Sequence, residues 1–155
     1  MCCLLALSIL NQNSFIGTWH LVAANFYKRD GTLVQLYGAD PLGYIRYDEQ
    51  GRMSVQIMQR NRPILPKIKD VEKAFDAYKA ILRGYVAYFG TYSVDEIART
   101  MTHHIQASLV PEWVGTDLVR TYEFSGNRLI LRTPPAQLRG EMMHGELIWE
   151  RFSNE

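Results

Sequence analysis

The sequence predicts an all-β fold, mainly antiparallel, closed as an up-and-down barrel with one helix inserted near residues 69–83. Three observations predict it. Short runs of alternating polar and apolar residues recur from Phe15 onward, separated by turn clusters at the spacing of antiparallel strands. Only one stretch carries helical periodicity. The chain of 155 residues, 47% hydrophobic, is long enough to bury one core, and no repeat or linker divides it. Residues 14–153 therefore read as one domain, preceded by an apolar segment, residues 1–13.

The first predicted strand covers 18–26 and ends at Lys28-Arg29-Asp30-Gly31. The second covers 33–37, before Gly38-Ala39-Asp40-Pro41. Residues 43–47 and 52–58 form a hairpin around Asp48-Glu49-Gln50-Gly51, where the glycine takes the positive φ such loops need. Pro63 and Pro66 then interrupt the pattern. Val71, Ala74, Phe75, Tyr78 and Leu82 follow at helical spacing, with Asp70 as the N-cap and Gly84 as the stop. That apolar stripe is expected to pack on the sheet. Strands resume at 85–94, 100–109, 118–124, 128–133 and 145–152, with a tight turn at Ser125-Gly126-Asn127. Each lies close in sequence to its successor, which suits a meander that closes on itself.

Composition narrows the function. Seventeen Lys+Arg against sixteen Asp+Glu leave a net charge of +1, too small a field for a protein that wraps nucleic acid. The two cysteines, Cys2 and Cys3, are adjacent and supply no disulfide framework. The apolar start is about half the length of a membrane span, lacks a basic leader and is followed by Asn11-Gln12-Asn13, a poor cleavage site. It is expected to pack against the domain of a cytoplasmic protein with no membrane span. The aromatic share is 12%, with nine Tyr and three Trp. These rings need an interior.

Several blocks resemble a known family. Phe15-Ile16-Gly17-Thr18-Trp19 carries the Gly-x-Trp that opens lipocalins, at the entry to the first strand. Pro41-Leu42-Gly43-Tyr44-Ile45, residues 51–58, Tyr88-Phe89-Gly90-Thr91-Tyr92, Thr102-His103-His104, Trp113-Val114-Gly115-Thr116 and Leu147-Ile148-Trp149-Glu150-Arg151 resemble, in this order, a bacterial and fungal lipocalin-like domain family. The resemblance runs from about Phe15 to Phe152. It implies a lipocalin-like, calycin-type barrel around a cavity. It also implies that Gly17, Trp19 and Arg151 are structural, with Arg151 across the Trp19 indole at the closed end. The helix departs from the usual lipocalin order, in which it follows the barrel.

Side chains alternate in and out along barrel strands, so the more apolar parity selects the lining. That parity gives Met53, Val55 and Ile57 on one strand, and Met101, His103 and Ile105 on another. If Asp95 faces Thr100, then Tyr92 stands opposite His103, Gly90 opposite Ile105 and Tyr88 opposite Ala107. Gly90 is expected to leave room beside it. Arg120, Tyr122, Phe124 and Trp149 complete the expected wall. An apolar chamber with a few convergent polar heads is the usual form of a small-molecule site. The first expectation is therefore a barrel that binds a small hydrophobic or aromatic metabolite, with Tyr92, His103, Arg120 and Tyr122 around its polar head and Tyr88 on the cavity wall.

The alternative is a cofactor-free isomerase or cyclase acting on a polyketide-like or terpenoid intermediate, with His103, Arg120 and Tyr122 as catalytic groups. A buried His on a strand also serves simply as a hydrogen-bonded core residue. No cofactor is expected. His103 and His104 point to opposite faces and no other ligands complete a set, so no metal is expected either. A homo-oligomer is left open, and Trp113 either lids the mouth or covers its edge.

Overall fold

The computed structural model describes residues 14–65 and 71–152. The segment 1–13, the expected N-cap Asp70, Pro66 and residue 153 lie outside the described residues. The described chain runs β1 (Gly17–Lys28), β2 (Leu33–Val34), β3 (Leu42–Tyr47), β4 (Arg52–Met58), α1 (Val71–Arg83), β5 (Tyr85–Asp95), β6 (Thr100–Ser108), a 3-10 turn (Pro111–Trp113), β7 (Asp117–Ser125), β8 (Arg128–Arg132), β9 (Ala136–Leu138) and β10 (Glu141–Arg151).

Antiparallel pairing follows β1-β3-β4-β5-β6-β7-β8-β10, and β10 returns to β1. The result is a closed eight-stranded barrel with one helix, as the sequence predicts. β2 and β9 are short additions to β1 and β10. Closure depends on β1, which is shared by two neighbours. Its first residues pair with β3, from Gly17↔Tyr47 to His20↔Tyr44, while its length pairs with β10. A register shift between Leu21 and Ala23 kinks the strand, the local bend that lets a sheet curl shut.

Alternation sets the core. Ile45 and Tyr47, Met53, Val55 and Ile57, Met101, His103 and Ile105, and Leu129 and Leu131 are all buried, each set on one parity of its strand. Facing pairs Val94↔Met101, Tyr92↔His103 and Gly90↔Ile105 have the expected register. Beyond Gly90 it changes. Gln106 bulges out of β6, so Phe89 faces Ala107 and Tyr88 faces Ser108 rather than Ala107. The bulge also corrects the reading of Gly90. A Cβ there would lie 1.9 Å from the His104 carbonyl oxygen, so backbone fills the space and leaves no room for a ligand.

Two other elements differ from expectation. The second strand is only Leu33–Val34, because the chain then turns inward at Leu36 and Tyr37. The last strand starts at Glu141, paired with an unexpected β9 through a two-residue turn. Arg139 and Gly140 both have positive φ there (53° and 87°), the type I′ pattern, and arginine at that place is no recognisable turn signal.

The helix forms where predicted and ends at Gly84, whose amide donates to the Ala80 carbonyl at 3.0 Å. Its expected packing face is wrong. Val71, Phe75, Tyr78 and Leu82 are 82%, 66%, 54% and 59% exposed. Ala74, Ala77 and Ile81 are the partly covered residues. A closed barrel buries its apolar side chains within itself, so it presents no broad apolar outer face for a helical stripe to cover.

Candidate functional site

The barrel has two dissimilar halves. At the end where β1 enters, Phe15 is fully buried and plugs the interior. Its ring meets Tyr122 and Phe124 at centroid distances of 4.9 and 4.8 Å, and Tyr47 at 6.1 Å. The Trp19 Nε1–H donates to the Phe15 carbonyl at 2.9 Å, and the Arg151 guanidinium lies 4.1 Å over the Trp19 ring. Arg151 also donates to the Ile16 carbonyl at 2.7 Å. Gly17 has φ 127°, and a Cβ would approach an Arg151 guanidinium nitrogen to 2.9 Å, so the glycine of Gly-x-Trp lets arginine and backbone meet.

At the opposite end lies a cavity of about 260 Å³. Its floor and walls include Ile45, Val55, Ile57, Val86, Leu131 and Trp149. Leu36 and Tyr37 after β2, Trp113 of the 3-10 turn, and Leu138 of β9 form its mouth. Arg139 ties this mouth together by donating to the Leu36 carbonyl at 3.1 Å and to the Arg83 carbonyl that ends α1. Trp113 meets the Tyr88 ring edge-on at 5.8 Å, so it helps close the cavity. A larger concavity, about 910 Å³, crosses the outer face by His20, Tyr44 and Arg60. It opens to solvent, whereas a small apolar ligand needs enclosure on most sides.

Of the expected wall, Val55, Ile57, Tyr88, His103, Arg120 and Trp149 line the cavity. Met53, Tyr92, Ile105, Tyr122 and Phe124 face inward but do not reach it. Tyr92 directs its hydroxyl to the Asp48 carbonyl, at 3.2 Å, in the closed-end turn. Tyr122 and Phe124 pack on Phe15, and Met53 and Ile105 are core. Parity finds the interior but does not divide it along the axis. Tyr37, Trp113 and Leu138 are missed because they come from irregular segments and a short strand, where alternation carries no signal.

The polar groups of this half form a chain. His103 is 1% exposed; the Tyr47 hydroxyl lies 2.9 Å from its Nε2 and the Tyr88 hydroxyl 3.0 Å from its Nδ1. Burial, reinforced by the nearby Arg120 charge, holds the imidazole pKa well below the ordinary 6.5, so the ring is neutral. A neutral imidazole has one N–H and one lone pair. One tyrosine therefore donates to it and the other accepts from it. Burial likewise raises the pKa of Tyr47 and Tyr88 and pushes Tyr37 up to about 12, so all three remain protonated phenols.

Two groups on the wall have donor capacity to spare. Trp149 is 1% exposed, and its Nε1–H finds no acceptor among the described residues. Arg120 donates to the Val119 carbonyl at 3.0 Å and lies within hydrogen-bonding reach of the Tyr88 hydroxyl. No carboxylate among the described residues pairs with it.

On the outer face, His104 holds Asp117 on Nδ1 at 2.7 Å and Ser93 on Nε2 at 2.9 Å. The order is that of a serine hydrolase triad, but the His104 and Asp117 side chains are 40% and 62% exposed on an open sheet surface. Nothing there excludes water, and the three serve as a cross-strand polar contact. Glu146 and Glu150, also on the outside, pair with Arg132 and Arg128 at 2.8 and 3.1 Å. Among the described residues no group of three or more His, Cys, Asp or Glu converges as a metal site, and no helix is long and apolar enough to cross a membrane.

Comparison with known proteins agrees with this geometry. The model of a lipocalin-like domain family matches residues 16–152. A 4'-hydroxy-3'-methoxypropiophenone carrier protein from Aspergillus oryzae is 26% identical over 107 residues, 64% of this chain and 96% of the relative. No solved structure matches the chain significantly.

Proposed function

Because the chain belongs to the lipocalin-like domain family, we propose that it is a carrier for a small hydrophobic molecule built on a single aromatic ring. The observation that carries this reading is the partly enclosed, largely apolar cavity of about 260 Å³ at the open end. It lies just below the usual range of ligand pockets, so it suits on the order of fifteen non-hydrogen atoms rather than a sterol or long lipid. The compound in the relative's name fits that size: one benzene ring with a hydroxyl, a methoxy and a propanoyl group. Residues 14–153 act as one binding domain, with Val55, Ile57, Tyr88 and Trp149 on the ring and Met53, Tyr92, Ile105, Tyr122 and Phe124 supporting the wall from below.

The test is a fluorescence titration with 4'-hydroxy-3'-methoxypropiophenone. Trp113 and Trp149 line the cavity, so saturable quenching is expected, with a one-to-one complex in native mass spectrometry. Val55→Phe, which fills the chamber, should weaken binding at least about tenfold. Absence of both quenching and complex, for this compound and for simpler aryl ketones, overturns the reading.

One observation supports a second reading as a cofactor-free isomerase or cyclase. The neutral His103 is bonded to Tyr88, and both line the cavity, an arrangement able to move a proton at a bound enol. It predicts conversion of a bound polyketide-like substrate by pure protein, lost in Tyr88→Phe while binding persists. Tyr122, packed against Phe15, has no part in it. The carrier reading places the protein in the cytoplasm, which fractionation tests. Size-exclusion chromatography with light scattering tests whether it forms a homo-oligomer.

A further inference from the structure

The cavity wall is unbalanced in its hydrogen bonding. The Trp149 Nε1–H has no acceptor among the described residues, but it is buried beyond the reach of a water molecule and so is not presented to a ligand. Arg120 brings a guanidinium with no carboxylate partner among the described residues. Tyr37 and Tyr88 add protonated hydroxyls. Two acceptors on the same wall are already engaged. The Thr133 hydroxyl oxygen receives the Gly145 amide at 2.7 Å, and Asp117 on the rim is bound to His104. A fixed cation in a partly water-excluded chamber favours an acceptor that carries negative charge.

We propose that the open-half cavity is selective for an aromatic ligand bearing an ionised oxygen, a phenolate or carboxylate, received by Arg120. This rests on the carrier reading and specifies the ligand class within it. The groups facing Arg120 are Tyr88 on β5, His103 on β6, Tyr47 on β3 and the rim carboxylate Asp117 on its own strand. The first three are neutral, and Asp117 is occupied on the outside. Arg120 is therefore the charge nearest an anion inside the cavity, and Asp117 stays at the rim.

Three probes share one ring: 4-nitrophenol above its ionisation pH, 4-nitrobenzoate, and the neutral 4-nitroanisole. Binding is read by tryptophan quenching and, for 4-nitrophenol, by its visible spectrum. At least one anion should bind roughly tenfold or more tightly than 4-nitroanisole, the smallest effect expected of an opposite charge at close range. Which anion does so distinguishes phenolate from carboxylate. If phenolate is preferred, protein should also move the ionisation of 4-nitrophenol to lower pH. Arg120→Gln should abolish the preference while 4-nitroanisole still binds, and Arg120→Lys should keep part of it. Equal binding of all three probes, or a preference unchanged in Arg120→Gln of normal melting temperature, overturns the selectivity and leaves the carrier standing. Binding of none of them overturns both.

Discussion

The closed and open halves of the barrel use similar residues for opposite purposes. At the closed end, Phe15, Tyr47, Trp19, Tyr122 and Phe124 meet ring to ring, and Arg151 spends its charge on the Trp19 face and on backbone carbonyls. At the open end, Tyr37, Tyr88, Trp113 and Trp149 stand around a space, and Arg120 reaches only the adjacent Val119 carbonyl and the Tyr88 hydroxyl. The difference arises from chain path rather than composition. Phe15, two residues before β1, inserts under the barrel, whereas the segments at the mouth only rim it. One half can therefore be rigid while the other remains receptive.

The largest effects should separate the halves. Trp19→Ala removes a buried ring, its hydrogen bond and its cation contact, and should lower unfolding free energy by about 3–5 kcal/mol. Trp113→Ala, at the mouth, should cost about 1 kcal/mol or less, yet weaken aromatic ligands. Urea denaturation with a binding titration measures both. Equal losses of stability would remove the distinction. Gly90→Ala sits between the halves and should be nearly as damaging as Trp19→Ala. Its Cβ would meet backbone that the Gln106 bulge holds in place, so about 1–3 kcal/mol or more is expected.

A middle-sized effect concerns the polar chain that joins the halves. Tyr47 belongs to the closed end, Tyr88 to the cavity, and His103 links them. Because the folded His103 binds its proton only well below pH 6.5, the unfolded chain holds more protons at mildly acid pH. Stability should then fall as pH drops through about 6.5, by up to about 1.4 kcal/mol per pH unit for this one site. His103→Gln keeps a donor and an acceptor, and its melting temperature should depend less on pH between about 7 and 5. The other titrating groups act in both proteins and cancel in the comparison. An unchanged pH slope would show that the ring is protonated when folded.

Sequence reading resolved the direction around the barrel far better than the direction along it. Parity needs only alternation, so Val55, Ile57, His103 and Trp149 fall inside without any knowledge of the partner strands. The pairing of Tyr92 with His103 follows from one loop, Asp95 to Arg99. Depth is different. Tyr92 and Tyr88 share a strand and a face, yet one reaches the closed-end turn and the other the cavity. What separates them is the plug at Phe15 and the Gln106 bulge, and neither follows from alternation. Tyr37, Trp113 and Leu138 at the mouth were illegible because irregular backbone has no period.

The helix marks the same limit on a smaller scale, and gives the smallest expected effect. Periodicity located α1 and its end at Gly84 correctly, but a stripe says only which residues share a face, not what the face meets. Here Val71, Phe75, Tyr78 and Leu82 meet solvent, while Ala74, Ala77 and Ile81 turn toward the body. Phe75→Ser should therefore change unfolding free energy by no more than about 0.5 kcal/mol, whereas a buried phenylalanine such as Phe15 costs several when truncated. Ile81→Ser, on the partly covered side, should cost more than Phe75→Ser despite removing a smaller side chain. That inverted order, measured by urea denaturation of the two variants, follows only if the apolar stripe faces away from the barrel. If Phe75→Ser were the more damaging change, the stripe would have to pack as its periodicity suggests.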